Sequence, residues 1–171
     1  PRRPAHKFPH RRIDAVMSDN DERFPNRKHP RLKNFDYSTP NYYFVTICTW
    51  NKICLFGSPG HLNQRGHAAM KGIVDMESHF PNIKVDKYVV MPNHVHMILI
   101  LKDGGMSLPT IIGQFKSFVT RKIREYEPDR KVWQTSFHDH IIRNQQAYEK
   151  IWLYIESNPQ NWSADCFYQT M

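Results

Sequence analysis

The sequence predicts an α+β domain built on an antiparallel sheet, and three observations predict it. Segments dense in β-branched and aromatic residues alternate with segments of helical apolar period. Two apolar runs, Val85 to Val90 and His94 to Leu101, are separated only by Met91-Pro92-Asn93, a hairpin-length connection. Proline and glycine punctuate each change of period.

The elements follow in order. Tyr42 to Trp50 (YYFVTICTW) reads as a strand, and Gly57, Pro59 and Gly60 mark a loop. Ala69, Ile73, Met76 and Phe80, with Met70 and Val74 beside them, form the apolar stripe of a helix that Pro81 and Asn82 stop. The two runs flanking Met91-Pro92-Asn93 are strands expected to pair antiparallel. After Gly104-Gly105, Ser107 can cap a second helix with the apolar arc Leu108, Ile111, Phe115, Phe118, Val119 and Ile123. Its other side carries Lys116, Arg121 and Arg124. Pro128 ends it, Ser136 to Arg143 is a short fourth strand, and Asn144 can cap a third helix reaching Ser157, before Pro159. The first six elements give the split βαβ order of ferredoxin-like domains, with a C-terminal helix added.

A chain of 171 residues has the length of one domain. Residues 1–35 hold ten Lys/Arg and four Asp/Glu, a net of +6, against fourteen and twelve, a net of +2, in residues 36–171. The division expected is therefore a basic, extended arm over 1–35 and a folded domain over 36–171, since the arm carries five prolines and no sustained period. The overall charge of +8 points to a polyanionic partner, nucleic acid first. An arm of this kind can lie along phosphates or serve solubility alone. No apolar run reaches membrane-spanning length, so a soluble protein is expected. Cys48, Cys54 and Cys166 form no CxxC pair, which suits a reducing cytosol.

The chemistry centres on two groups of residues. His94 and His96 point to one face of their strand, because side chains alternate with a period of two. Two imidazoles so placed can take neighbouring positions on one divalent cation. His138-Asp139-His140 has the same spacing, but His94 and His96 run straight into the apolar Met97 to Leu101, in the sheet interior, where a polar pair needs a reason. On the third helix Tyr154 and Asn158 lie about 40° apart on one stripe, with Lys150 a turn earlier. A phenol, an amide oxygen and an ammonium thus share a face, although Tyr154 also suits packing beside Ile151, Trp152 and Ile155. Pro159 biases Asn158 away from helical angles.

These segments together carry a resemblance. KYVVMPNHVHMILIL, SLPTIIGQFKSFVTRKI, VWQTSFHDHIIRN and YIESNPQNW, in that order, strongly resemble the HUH single-tyrosine transposases, in which U is a bulky apolar residue. The likeness is nearest to the REP-associated tyrosine transposases, relatives of insertion-sequence transposases. It runs from about Arg31 to Trp162 and includes RLKNFDYSTPNYYFVTICTWNKICLFG.

The resemblance implies that His94 and His96 are metal ligands, that Tyr154 on the added helix is the nucleophile, and that Asn158 is the third ligand. It implies cleavage and joining of single-stranded DNA near palindromic hairpins through a 5′-phosphotyrosine. The ligand types suit Mg²⁺ or Mn²⁺. No phosphate-binding GxxxxGK[ST] or GxGxxG loop is present, consistent with exchange of one phosphodiester for another without ATP. Lys116, Arg121, Arg124, Arg143 and Lys150 are candidate DNA contacts, and Lys150 could favour the Tyr154 phenolate. Trp133, Phe137, Trp152 and Trp162 are stacking candidates that equally suit a core. Expected partners are single-stranded or hairpin DNA in the cytoplasm, at the nucleoid, with no membrane and with monomer or homodimer both open. Two other readings remain at this point: an RRM-like nucleic-acid-binding module, and a domesticated transposase that binds DNA without cutting it.

Overall fold

The structure is a computed structural model that describes residues 35–169. The basic arm expected over residues 1–35 lies, apart from Phe35, outside the described residues. The main sheet has four strands: β1 (Asn41–Cys48), β4 (Ile83–Met91), β5 (His94–Leu101) and β6 (His138–Ile142), in the spatial order β4-β5-β1-β6 and antiparallel throughout. Each crossover leaves one strand between the pair it joins, which is the split βαβ arrangement that the element order predicts. The expected loop after β1 contains a minimal hairpin, β2 (Gly57–Ser58) and β3 (His61–Leu62). Gly57 there has φ 113°, and a Cβ would stand 2.4 Å from the His61 carbonyl oxygen, so only glycine fits.

The helices are α1 (Gln64–Val74), α2 (Met76–His79), α3 (Leu108–Arg124) and α4 (Gln145–Ser157). The single helix expected through Phe80 is broken at Asp75. The break turns Met76 and Phe80 into the core and leaves Val74, expected beside the stripe, 60% exposed. Asn63 caps α1 through hydrogen bonds from Arg65 N and Gly66 N, and Asn144 caps α4 through Ala147 N. Ser107 holds the cap position of α3, but its hydroxyl pairs with the Thr110 hydroxyl rather than with backbone.

Alternation along the strands divides the core in two. Tyr43, Val45, Ile47, Val95, Met97 and Leu99 face α1 and α3, where Ile73, Leu108, Ile111, Phe115 and Val119 close the larger core. The other sheet face presents Phe44, Ile98 and Ile142 to Tyr148, Ile151 and Ile155 of α4. Burying both faces removes the open sheet surface on which an RRM-like module stacks bases.

A register shift in β4 between Val85 and Lys87 re-aims Asp86, which accepts a 2.6 Å hydrogen bond from the Tyr148 hydroxyl. Lys87 pairs with Glu156 and lies 4.0 Å from the Trp152 ring centroid. These contacts from one edge strand fix α4 across the sheet end that carries His94 and His96.

Candidate active site

His94 and His96 lie at the start of β5, opposite Cys48 and Thr46 of β1, on the face that α4 covers. Both are buried, and their rings are 4.3 Å apart at the centroids. Burial holds the His94 pKa down at about 4, partly offset by the nearby Asp165 charge, and takes His96 well below its ordinary value. Both imidazoles are therefore neutral, the form that can donate a lone pair to a cation.

Tyr154 projects from α4 into the same space. Its hydroxyl lies 3.3 Å from His96 Nε2 and donates a 3.0 Å hydrogen bond to Asp165 Oδ2. The Phe44 ring meets Tyr154 edge-on and also lies against His96. Asn158 keeps helical angles, φ −57° and ψ −42°, despite the following proline, because the chain continues its turn through the bond from Asn161 N to Ser157 O. It is consequently held on the Tyr154 stripe and buried.

Asn158 Nδ2 donates to Asp165 Oδ2 at 2.8 Å, which turns its Oδ1 the other way. That oxygen and His94 Nε2 are both buried without a hydrogen bond. Leaving such atoms unsatisfied costs free energy that a bound cation would recover. Lone-pair donors from His94, His96 and Asn158 fit a divalent ion, and the ligating atoms of His94, His96 and Asp165 all lie within 4.8 Å of one another.

Asp165 is the participant that sequence reasoning missed. Besides Tyr154 and Asn158 it holds the Phe167 backbone N–H through Oδ1 at 2.7 Å. The Phe167 ring then lies 4.8 Å from His94, and the Phe167 carbonyl accepts from Asn93 Nδ2. Asp165 stands seven residues beyond Asn158 and outside any periodic element, so no spacing could point to it. It also alters the electrostatics expected around Tyr154. Lys150 is exposed, and burial together with the negative Asp165 raises the Tyr154 pKa rather than lowering it.

The remaining candidates lie elsewhere. His138 is exposed on β6, and its partner across β1 is Thr46, which also faces His96. The same sheet face thus carries both HxH pairs, but α4 meets only the first with Tyr154 and Asn158. Arg143 is exposed just beyond β6. Lys116 donates to the carbonyls of Gln134 and Thr135, pinning the segment before β6. Arg121 and Arg124 are exposed on α3. Trp133, Phe137 and Trp162 are buried and Trp152 is partly buried under Lys87, so none of the four offers an open stacking surface.

Residues 58–158 match the family described as Transposase IS200 like, well over half of the chain. The chain belongs to the IS200-like transposases. This transposase is 32% identical over 167 residues to an uncharacterized protein of Haemophilus influenzae, covering 83% of the chain and 93% of that protein. Its fold is similar to the solved structure of a REP-associated tyrosine transposase bound to a REP hairpin, with a TM-score of 0.57 and 21% identity. That match covers 79% of this chain and 74% of the other. Among the described residues of the transposase, no helix is long and apolar enough to cross a membrane.

Proposed function

We propose that this transposase cuts and rejoins single-stranded DNA beside a hairpin, through a covalent 5′-phosphotyrosine on Tyr154. The observation that carries this reading is that the Tyr154 hydroxyl meets His96 Nε2 and shares Asp165 with the Asn158 amide, while His94 Nε2 and Asn158 Oδ1 are buried without a hydrogen bond. Such a cluster has no structural need to be polar, and a wholly apolar filling would satisfy α4 equally well.

The roles follow from the contacts. Tyr154 attacks phosphorus, its phenolic proton leaves toward Asp165, and the phosphorus–oxygen bond to the 3′ side breaks, so that the departing 3′ oxygen takes up a proton. One phosphodiester becomes a phosphotyrosyl diester, and the exchange needs no nucleotide cofactor. His94, His96 and Asn158 would hold a divalent ion, Mg²⁺ or Mn²⁺, which when bound supplies Lewis-acid stabilisation of charge on the scissile phosphate. Thr46, whose hydroxyl lies 2.8 Å from His96 Nδ1, can donate or accept and so serves either His96 tautomer. The Phe44 and Phe167 rings border the histidines and limit water.

A hairpin with a single-stranded flank is the expected substrate, since a paired scissile strand could not easily enter so buried a site, and the similar REP-associated tyrosine transposase was solved bound to a REP hairpin. The test is incubation of the full chain with labelled hairpin DNA and Mn²⁺. A covalent protein–DNA band on a denaturing gel is expected, and it should be absent with Tyr154→Phe. Adduct formation by that variant would reassign the nucleophile. Cleavage-free binding by the unaltered protein would favour the domesticated reading.

A further inference from the structure

On the α3 side of the sheet an open groove of about 830 Å³ runs between α3 and residues 131–135. Four cationic side chains line it, Lys116, Arg121, Arg124 and Lys131, against one carboxylate, Glu125. One wall is Trp50, 37% exposed, with the Lys131 ammonium 4.7 Å from its ring centroid. A partly exposed tryptophan ring beside a basic strip offers a face on which an unpaired base can stack.

The turn that presents Trp50 is strained and hydrogen-bonded. Asn51 and Lys52 both adopt left-handed angles, φ 51° and 55°, which lysine rarely takes. Hydrogen bonds hold them there: Trp50 N to Val132 O, Thr49 Oγ1 to Ile53 O, and Asn93 Nδ2 to Lys52 O. The same Asn93 contacts His94. Trp50 also follows Cys48, the residue opposite His94, by only two positions. The groove and the histidine site thus lie near one end of the sheet, on opposite faces, joined by this turn.

We propose that this groove, with Trp50 as its stacking surface, binds the single-stranded DNA that adjoins the hairpin and leads it round the sheet end to Tyr154. Unpaired bases stack on an exposed aromatic ring while their phosphates meet the basic side chains, whereas duplex phosphates would need the charges but not the tryptophan. The inference rests on the reading of the protein as a single-strand transposase and adds where the strand lies.

The experiment is equilibrium binding of the full chain, in EDTA so that no cleavage occurs, to a fluorescein-labelled hairpin with and without a single-stranded extension of about ten nucleotides. The extension should tighten binding by the unaltered protein. Trp50→Ala should remove about tenfold of that gain, and a double variant, Arg121→Glu with Lys131→Glu, should remove it and flatten the salt dependence. Matching circular dichroism and melting temperatures show that each variant is folded. An extension that gives no gain, or a gain that all variants keep, overturns the proposal. Equal weakening on both DNAs overturns it as well, because the groove would then hold the duplex. The Tyr154 adduct assay is independent of these outcomes, so loss of the groove and loss of the transposase reading are separable.

Discussion

Asn93 Oδ1 lies 2.8 Å from His94 Nδ1, and this contact fixes which nitrogen of His94 carries the proton. The amide NH₂ of Asn93 is committed as donor to the Lys52 and Phe167 carbonyls. Its oxygen must therefore accept, His94 Nδ1 must donate, and the lone pair falls on Nε2, the buried atom without a hydrogen bond.

Asn93→Ala should therefore weaken Mn²⁺ binding by roughly 10- to 100-fold, the usual cost of losing an outer partner of a ligating histidine. Titration calorimetry on the metal-free protein reads it directly. The variant should also lose about 1 kcal/mol of stability, because two part-buried carbonyls lose their donor. Unchanged affinity would mean that His94 is not a ligand or that its tautomer is set elsewhere.

Tyr154→Phe removes a single oxygen from a half-buried ring whose packing against Phe44 persists. The melting temperature should stay close to that of the parent and hairpin affinity should persist, while the covalent adduct disappears. A large loss of stability instead would show that the phenol serves mainly to satisfy Asp165.

His94→Ala and His96→Ala should each abolish metal-dependent cleavage, and His138→Ala should leave it nearly intact, since His138 is exposed and outside the reach of α4. Gel assays of the three variants with one hairpin and a series of Mn²⁺ concentrations make the comparison. Loss of cleavage on altering His138 would move the ion toward β6.

Metal-free protein should lose stability as the pH falls below about 6.5. Burial depresses the folded-state His94 pKa from 6.5 to about 4 and holds His96 well below its ordinary value, so as the pH falls below about 6.5 the unfolded chain binds more protons than the folded one. The imidazole contribution is complete above about 6.5 and declines as the pH drops toward about 4. Melting scans at neutral and mildly acidic pH should show a falling midpoint, and Mn²⁺ should raise the midpoint more at neutral pH, where protons compete less for the ligands. A midpoint that is flat over this range would contradict neutral, buried histidines.

Metal affinity should also register Asp165. Asp165→Asn keeps the side chain's shape but removes a charge within 4.8 Å of both imidazoles, so Mn²⁺ binding should weaken. The Tyr154 phenol should become easier to ionise, because the negative neighbour that raises its pKa is gone. Ultraviolet titration compared with Tyr154→Phe isolates that one phenol.

Local periodicity determined much of this protein. The period of two along β5 places His94 beside His96, and the helical period of α4 places Asn158 beneath Tyr154, whatever surrounds them. The antiparallel pairing of β4 with β5 follows from a connection too short for a crossover. Which groups then meet was decided by the tertiary structure alone. His96 and His138 face the same Thr46 from opposite neighbours, so neither spacing nor sheet face separates the two HxH pairs. The separation comes from α4, anchored by Asp86 and Lys87 of β4 across the end of the sheet that carries β5. Asp165 joins the site only because the chain beyond α4 doubles back, and Trp50, which an uninterrupted strand would place on the Phe44 face, lies instead on a turn that lines the groove beside α3. Long-range contacts of this kind depend on the sum of packing over both faces of the sheet, which no short window of sequence contains.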